Sequence, residues 1–174
     1  MLGDELQKRT LHATLVIFGS VPNALAGQPE RTTLDIDIWK PKSIFYGNAL
    51  KVAAEAIGLL YDPKDDLEPD KPYLQIVNPG IVQLGEFEPM PLGLFGNLTI
   101  CQAPISNVIA SKLCRATETD IEDIAWLMGQ HQIDKGSIKA IISTFPQYQQ
   151  ETATENLVFL DTITFSQNQK TFKR

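Results

Sequence analysis

Two aspartates, Asp35 and Asp37, are the residues in this chain whose types and spacing most directly suggest chemistry. They lie within residues 33–39, where polar and aromatic side chains alternate strictly with apolar ones. Such alternation predicts a β-strand with one face on a core, so both carboxylates are expected on one face, about 7 Å apart along the backbone. Because Mg²⁺ takes one or two carboxylates and leaves its other positions to water and phosphate oxygens, the pair is a candidate metal site. The alternative is an ordinary solvated strand face.

Lys112 also stands out, because it falls on the apolar face of a predicted helix. Over residues 103–116 the apolar side chains recur at helical spacing, and Lys112 lies near the middle of their arc with Arg115 at its edge. A lysine is rarely buried without a partner. Two explanations remain open from the sequence: the side chain lays its stem on the core and reaches solvent, or it enters a site that holds an anion.

Acidic residues open the next predicted helix. Asp120 and Asp123 fall in and just after its first turn, where Thr119 and Glu122 have the spacing of a capping box. Because acidic residues are favoured at the start of any helix, their presence alone does not indicate a site.

The side chains named above are positioned by predicted strands and helices that alternate along the chain, which predicts an α/β fold. Strands are predicted over residues 13–19, 33–39, 73–77, 81–84 and 98–101, with a loop over 89–93. Helices are predicted over 2–11, 43–60 and 103–116, from 117 onward, and over 133–145 and 151–160. At Gly19 the first strand ends and Ser20 can cap a short helix, whose first backbone amides could bind phosphate.

The composition narrows the class of protein. The 174 residues carry a net charge of −6, which argues against a broad nucleic-acid surface but not against a small nucleotide with its metal. The two cysteines, Cys101 and Cys114, lack a zinc-ligand spacing and are predicted to be packed thiols. No signal segment or apolar run of about 20 residues occurs, so we expect a cytoplasmic protein that does not enter a membrane.

Taken in order, these segments resemble the minimal nucleotidyltransferase superfamily. The resemblance covers about residues 10–130 and is closest to small bacterial nucleotidyltransferase-like proteins of uncharacterised function, which are related to the nucleotidyltransferases of abortive-infection toxin–antitoxin pairs. It rests on four segments: Gly19-Ser20, Arg31 to Asp37, Ala110 to Arg115, and Asp120 to Ile124. It implies a mixed β-sheet with flanking helices (α/β or α+β) over residues 1–130, with 131–174 as a helical extension packed on the same domain and ending in a frayed tail.

The resemblance also implies a role for each matching residue. Asp35 and Asp37 would be catalytic and would bind Mg²⁺. The Gly19-Ser20 turn would start the helix that holds the triphosphate, Lys112 would contact the phosphates, and Asp120 and Asp123 would support that part of the site. The nucleotide-binding residues implied in this way are Gly19, Ser20, Arg31, Thr33, Lys112, Arg115, Asp120 and Asp123.

The sequence departs from the family pattern in one respect. Active members add a third carboxylate from a later strand, whereas residues 73–85 contain no Asp or Glu, and Glu86 and Glu88 follow just after. Two hypotheses therefore stand. The chain is either a Mg²⁺-dependent nucleotidyltransferase, which moves a nucleoside monophosphate from a nucleoside triphosphate to an unknown protein, RNA or small-molecule acceptor, or a degenerate binding module with a protein partner, as in a toxin–antitoxin pair. A plain structural domain is a third reading.

Overall fold

The computed structural model describes residues 1–29, 33–64, 68, 70–80 and 82–163. Within these residues six strands form one sheet, with seven α-helices and one 3-10 turn around it. None of the helices in this part of the chain is long and apolar enough to cross a membrane. The predicted α/β class with a mixed sheet and flanking helices is confirmed.

The sheet is mixed, and its spatial order is β3-β4-β2-β1-β6-β5. Strands β1 and β6 are parallel, as are β2 with β4 and β3 with β4, whereas β1 pairs with β2 and β5 with β6 in antiparallel fashion. The strand that carries the aspartates, β2, therefore lies between two neighbours rather than at an edge. The bounds are β1 Ala13–Ile17, β2 Asp35–Trp39, β3 Leu60–Tyr61, β4 Tyr73–Val77, β5 Met90–Phe95 and β6 Leu98–Gln102.

The α-helices form two groups, which belong to two different hydrophobic clusters. The bounds are α1 Leu2–Lys8, α2 Val21–Leu25, α3 Gly47–Glu55, α4 Ile105–Leu113, α5 Glu118–Gln130, α6 Lys135–Ile142 and α7 Gln147–Glu155, with the 3-10 turn at Lys40–Lys42. One cluster unites side chains of α1 and α3 with Leu15, Ile17 and Ile38 of the central strands. The other unites side chains of α4 to α7 with Val16 and Trp39.

The strand β1 is buried on both faces, as its nearly continuous apolar run predicts. Val16 belongs to the cluster of α4 to α7, and Leu15 and Ile17 belong to the cluster of α1 and α3. The cluster of α4 to α7 also includes Ile138, Ile142, Ala153 and Leu160 of the C-terminal part. The division of the chain at residue 130 stays a prediction.

Two predictions about strands are wrong. Residues 90–95 form the edge strand β5, where a loop was predicted over 89–93. Of the strand predicted over 81–84, residue 81 lies outside the described residues, Val82 only makes an isolated bridge to Pro79, and residues 83 and 84 are not a strand. Proline and glycine are tolerated at a sheet edge, because the outward backbone groups have no ladder partner to lose. A bulge between Pro91 and Gly93 accommodates both residues in β5.

Helix ends also differ from the prediction. The long helix predicted over 43–60 is shortened to α3 and is followed by the short strand β3. The residue that caps α5 is Thr117 and not Thr119, because the Thr117 hydroxyl accepts a hydrogen bond from the backbone N–H of Asp120 at 3.2 Å. Periodicity locates a helix but does not determine where its capping bonds form.

The packing of α1 on the β5–β6 hairpin depends on Gly3. A β-carbon at position 3 would lie 1.6 Å from the backbone carbonyl oxygen of Phe95. We expect Gly3→Ala to lower the free energy of unfolding by about 1–3 kcal/mol because α1 must shift, although alanine is the better helix former. Urea unfolding of Gly3→Ala and of Gly80→Ala, whose added β-carbon meets nothing within 4 Å, tests this. A stabilised Gly3→Ala protein would contradict the close contact.

Candidate functional site

A cavity of about 410 Å³ lies between the β2–β4 part of the sheet and the helix α4. Asp35 and Asp37 both line it, as the alternation in β2 predicts, and the apolar residues Ile36 and Ile38 pack in the cluster on the other side of the sheet. Side chains of α4 and of the turn that follows it form the opposite wall, and they include Lys112 of the helix and Arg115 of the turn. The cavity therefore brings two carboxylates of one strand to face a lysine of α4 and an arginine of the turn after it.

Gly19 allows the turn after β1 to approach the carboxylate of Asp37. Its φ of +69° lies in the left-handed region, and a β-carbon there would lie 2.1 Å from Asp37 Oδ2. The antiparallel pairing of β1 with β2 fixes this approach, because the backbone N–H of Phe18 donates to the carbonyl oxygen of Asp37 at 3.2 Å. Glycine is required at position 19 for both its backbone conformation and its lack of a side chain.

The carboxyl group of Asp37 is perturbed by its surroundings. Burial raises the pKa of Asp37, and the nearby charge of Asp35 raises it further, while the charges of Arg115 and Lys112 offset part of the effect, so the pKa of Asp37 is about 6. Thr33 donates its hydroxyl to the Asp35 carboxylate and also lies 3.1 Å from the Asp35 carbonyl oxygen. The ionised form of Asp37 is therefore disfavoured in the folded protein, and a nearby positive charge would favour it.

Lys112 is buried and does not reach solvent, which decides between the two explanations that the sequence left open. It is 4% exposed, and its Nζ lies 2.7 Å from Asp123 Oδ2 and 3.3 Å from Asp120 Oδ1. The acids that open α5 are therefore buried partners of the lysine on α4. Because two carboxylates neutralise one ammonium, Lys112 offers an incoming anion less charge than its position alone suggests.

Arg115 is the more accessible cation of the cavity wall. Its Nε and Nη2 donate to Asp120 at 3.2 and 2.8 Å, and its side chain is 53% exposed. Thr117 Oγ1 donates to the same carboxylate at 2.8 Å. Burial raises the pKa of Asp120, but the hydrogen bonds from Arg115 and Thr117 and the charges of Lys112 and Arg115 outweigh it, so this pKa lies below its ordinary value.

The short helix α2 is attached to the same cluster from the other side. Asn23 is fully buried, and its Nδ2 donates to the carbonyl oxygen of Asp123 at 3.0 Å and to Gln28 Oε1 at 2.7 Å. Asp123 therefore bonds α4 through its side chain and α2 through its backbone. Ser20 occupies the N-cap position of α2 without a side-chain capping bond, and this helix has only five residues.

Five of the predicted site residues line the cavity, four contact or adjoin its wall, and one lies outside the described residues. Those in the wall are Gly19, Asp35, Asp37, Lys112 and Arg115. Asp120 and Asp123 hold the two cationic side chains, Thr33 contacts Asp35, and Ser20 follows the wall residue Gly19. Arg31 lies outside the described residues.

Among the described residues, the cavity wall contains no third carboxylate. Gln75 lies opposite Asp37 in the register of β2 with β4 and lines the cavity. The side chain of Glu86 is 91% exposed and lies 3.3 Å from Lys42, and Glu88 is also exposed. No group of three or more His, Cys, Asp or Glu side chains that could hold a metal occurs among the described residues.

Several wall residues were not identified as site residues from the sequence. Gln75, Asn78, Ser111 and Phe18 all line the cavity, and none of the four was predicted to be a site residue. For Gln75 the signal was its place in β4, two residues after Tyr73, but its register with Asp37 depends on the pairing of two distant strands. For Ser111 the only signal was its position next to Lys112.

The sheet, the carboxylate pair and the facing cations define an α/β domain with a charged cavity between the sheet and α4. The chain belongs to the DUF6036 family, described as nucleotidyltransferase of unknown function, whose model matches residues 2–173. The predicted relation to nucleotidyltransferase-like proteins is thereby confirmed. Neither the curated proteins nor the solved structures contain a significant match to the chain.

Because the pKa of Asp37 is raised, we expect the folded protein to be less stable when this carboxyl group is ionised. Because the folded protein keeps the Asp37 proton at a higher pH than the unfolded chain does, stability falls as the pH rises from about 4 to about 6. We expect Asp37→Asn to raise the free energy of unfolding by roughly 2 kcal/mol at pH 7.5 and by less at pH 5. Urea unfolding without divalent cations measures this, with Glu86→Gln as the control. An equal gain at both pH values would contradict the assignment.

The buried ion pair predicts a large loss when one partner is removed. Lys112→Met leaves Asp123 without its ammonium partner at 2.7 Å, so we expect the free energy of unfolding to fall by about 3–5 kcal/mol. Adding Asp123→Asn should recover part of that loss, because the variant no longer buries an uncompensated charge. A thermodynamic cycle over both single variants and the double variant measures the coupling. Strictly additive losses would show that the pair does not interact.

Proposed function

We propose that this protein binds a nucleoside triphosphate with a divalent cation in the cavity and transfers the nucleoside monophosphate to an acceptor. The observation that carries the proposal is the placement of Asp35 and Asp37 on one strand face, across the cavity from Lys112 and Arg115. Membership of a nucleotidyltransferase-like family supports it. The acceptor is a protein, an RNA or a small molecule.

The donor set fits Mg²⁺. Asp35 and Asp37 supply carboxylate oxygens, which this hard cation prefers, and their mutual repulsion is relieved when a divalent cation is bound. When bound, the cation would polarise the phosphate oxygens and stabilise the charge that develops during transfer. Gly19 keeps the neighbouring backbone close to Asp37 without obstructing its carboxylate.

The cationic wall would position the phosphates. Arg115 is half exposed, and its Nε and Nη2 donate to Asp120. These two bonds orient the guanidinium group and leave its other N–H donors for a ligand. Lys112 is deeper and already bonded to two carboxylates, so we assign phosphate contact first to Arg115 and a supporting field to Lys112. Nucleotidyl transfer depends mainly on such positioning and charge stabilisation.

A second candidate function is nucleotide binding without efficient transfer, in a protein that acts as a binding module. The specific observation in its favour is the neutral Gln75 beside Asp37, together with the exposed positions of Glu86 and Glu88. Apart from Asp35 and Asp37, the described residues of the cavity wall provide no carboxylate that could accept a proton from the acceptor hydroxyl. Binding and transfer must therefore be measured separately.

Calorimetry with each of the four nucleoside triphosphates, with and without Mg²⁺, tests binding. We expect binding that requires the metal and that falls at least roughly tenfold in the Asp35→Asn/Asp37→Asn double variant, because the cation loses both charged ligands. The control is Glu86→Gln/Glu88→Gln, which removes the same number of charges outside the cavity and should bind as the wild type does.

Transfer is tested with α-³²P-labelled nucleoside triphosphates and a cell extract as the source of acceptors. Label that depends on Asp35 and Asp37 supports the transferase, whereas metal-dependent binding without any label supports the binding module. Absence of both binding and label would refute the proposal altogether.

A further inference from the structure

Gln75 is the polar side chain on the strand β4 that lies directly opposite Asp37. The parallel register pairs Asp35 with Tyr73 and Asp37 with Gln75, so the amide of Gln75 is on the same sheet face as the carboxylates. Its side chain is exposed in the wall of the same cavity, and it has no hydrogen bond to the described part of the protein. A side chain in this position is available to bind a ligand.

The chemistry of an amide restricts what Gln75 can do there. Its carbonyl oxygen is a neutral hard ligand of the kind that Mg²⁺ and Ca²⁺ accept, whereas it cannot serve as a carboxylate base. Neighbouring strands lie about 4.8 Å apart, so Asp37 and Gln75, which are paired and on one sheet face, are within reach of one shared cation. A third carboxylate here would instead place another like charge beside two that already repel.

We propose that Gln75 is a neutral third ligand of the cation bound by Asp35 and Asp37, and that the cavity therefore holds one divalent cation. This inference rests on the proposed function. Two-metal sites place their ions about 3.5–4 Å apart and need anionic ligands for both. Here Glu86 and Glu88 are exposed outside the cavity wall, so the described residues supply charged ligands for one ion only.

Manganese titration followed by electron paramagnetic resonance tests the assignment, because Mn²⁺ takes the same oxygen ligands as Mg²⁺ and the signal of the free ion disappears on binding. The full chain is titrated alone and with a non-hydrolysable nucleoside triphosphate analogue. We expect one Mn²⁺ per chain beyond the ions taken up by the analogue alone. Gln75→Leu should weaken binding roughly threefold to tenfold, and Gln75→Glu should tighten it about tenfold, because the added ligand charge raises affinity.

The matched controls are Gln7→Leu and Gln7→Glu, which make the same changes at an exposed glutamine of α1 and should bind Mn²⁺ as the wild type does. Thermal melting checks that all variants fold. The inference is overturned if residue 75 does not affect the affinity, or if the wild type binds two ions per chain.

The proposed function can stand when the inference fails. Mn²⁺ binding that is lost in Asp37→Asn but is indifferent to residue 75 would refute only the role of Gln75. No Mn²⁺ binding by the wild type, with or without the analogue, would refute both.

Discussion

The main constraint on the site is that two like charges lie on one face of a central strand. Asp35 and Asp37 lie on β2, between β1 and β4, and both line the same cavity. Burial and repulsion raise the pKa of Asp37 to about 6, so the folded chain holds an electrostatic cost near neutral pH. Costs of this kind are common at functional sites and are compensated by packing elsewhere.

The compensating packing lies in two hydrophobic clusters, one on each side of the sheet. The strand β1 contributes to both, and β2 contributes Ile38 to one cluster and Trp39 to the other. The ring of Trp39 meets that of Phe18 edge to face, with the ring centroids 5.7 Å apart. The aspartates are therefore attached to the most buried part of the molecule, which limits their movement.

The positive charges on the cationic side of the cavity are neutralised by neighbouring carboxylates. Lys112 and Arg115 share Asp120, Lys112 also bonds Asp123, and Asp123 is connected to α2 through Asn23. This cluster orients the cations without leaving a net positive charge of its own, so Asp35 and Asp37 make the described part of the cavity acidic. An anionic nucleotide would therefore depend on an accompanying cation, which agrees with the metal requirement of the proposed function.

Local patterns in the sequence determined a large part of the fold. The alternation in residues 33–39 predicted the shared face of the two aspartates, and the helical spacing of 103–116 predicted the face on which Lys112 lies, because each pattern involves only residues near in sequence. The edge strands of the sheet and the caps of the helices were harder to predict from such local patterns. The strand β5 was missed since proline and glycine suggest a loop, and an edge strand tolerates both.

The sequence by itself therefore determined which residue types face the same way along each element, and the family resemblance indicated which of them belong to one site. Only the tertiary structure decided that Lys112 is buried between Asp120 and Asp123, that Gly19 touches Asp37, and that Gln75 lies beside it. Those contacts join residues of different elements, and strand register and helix docking depend on the packing of the whole chain and not on any one segment.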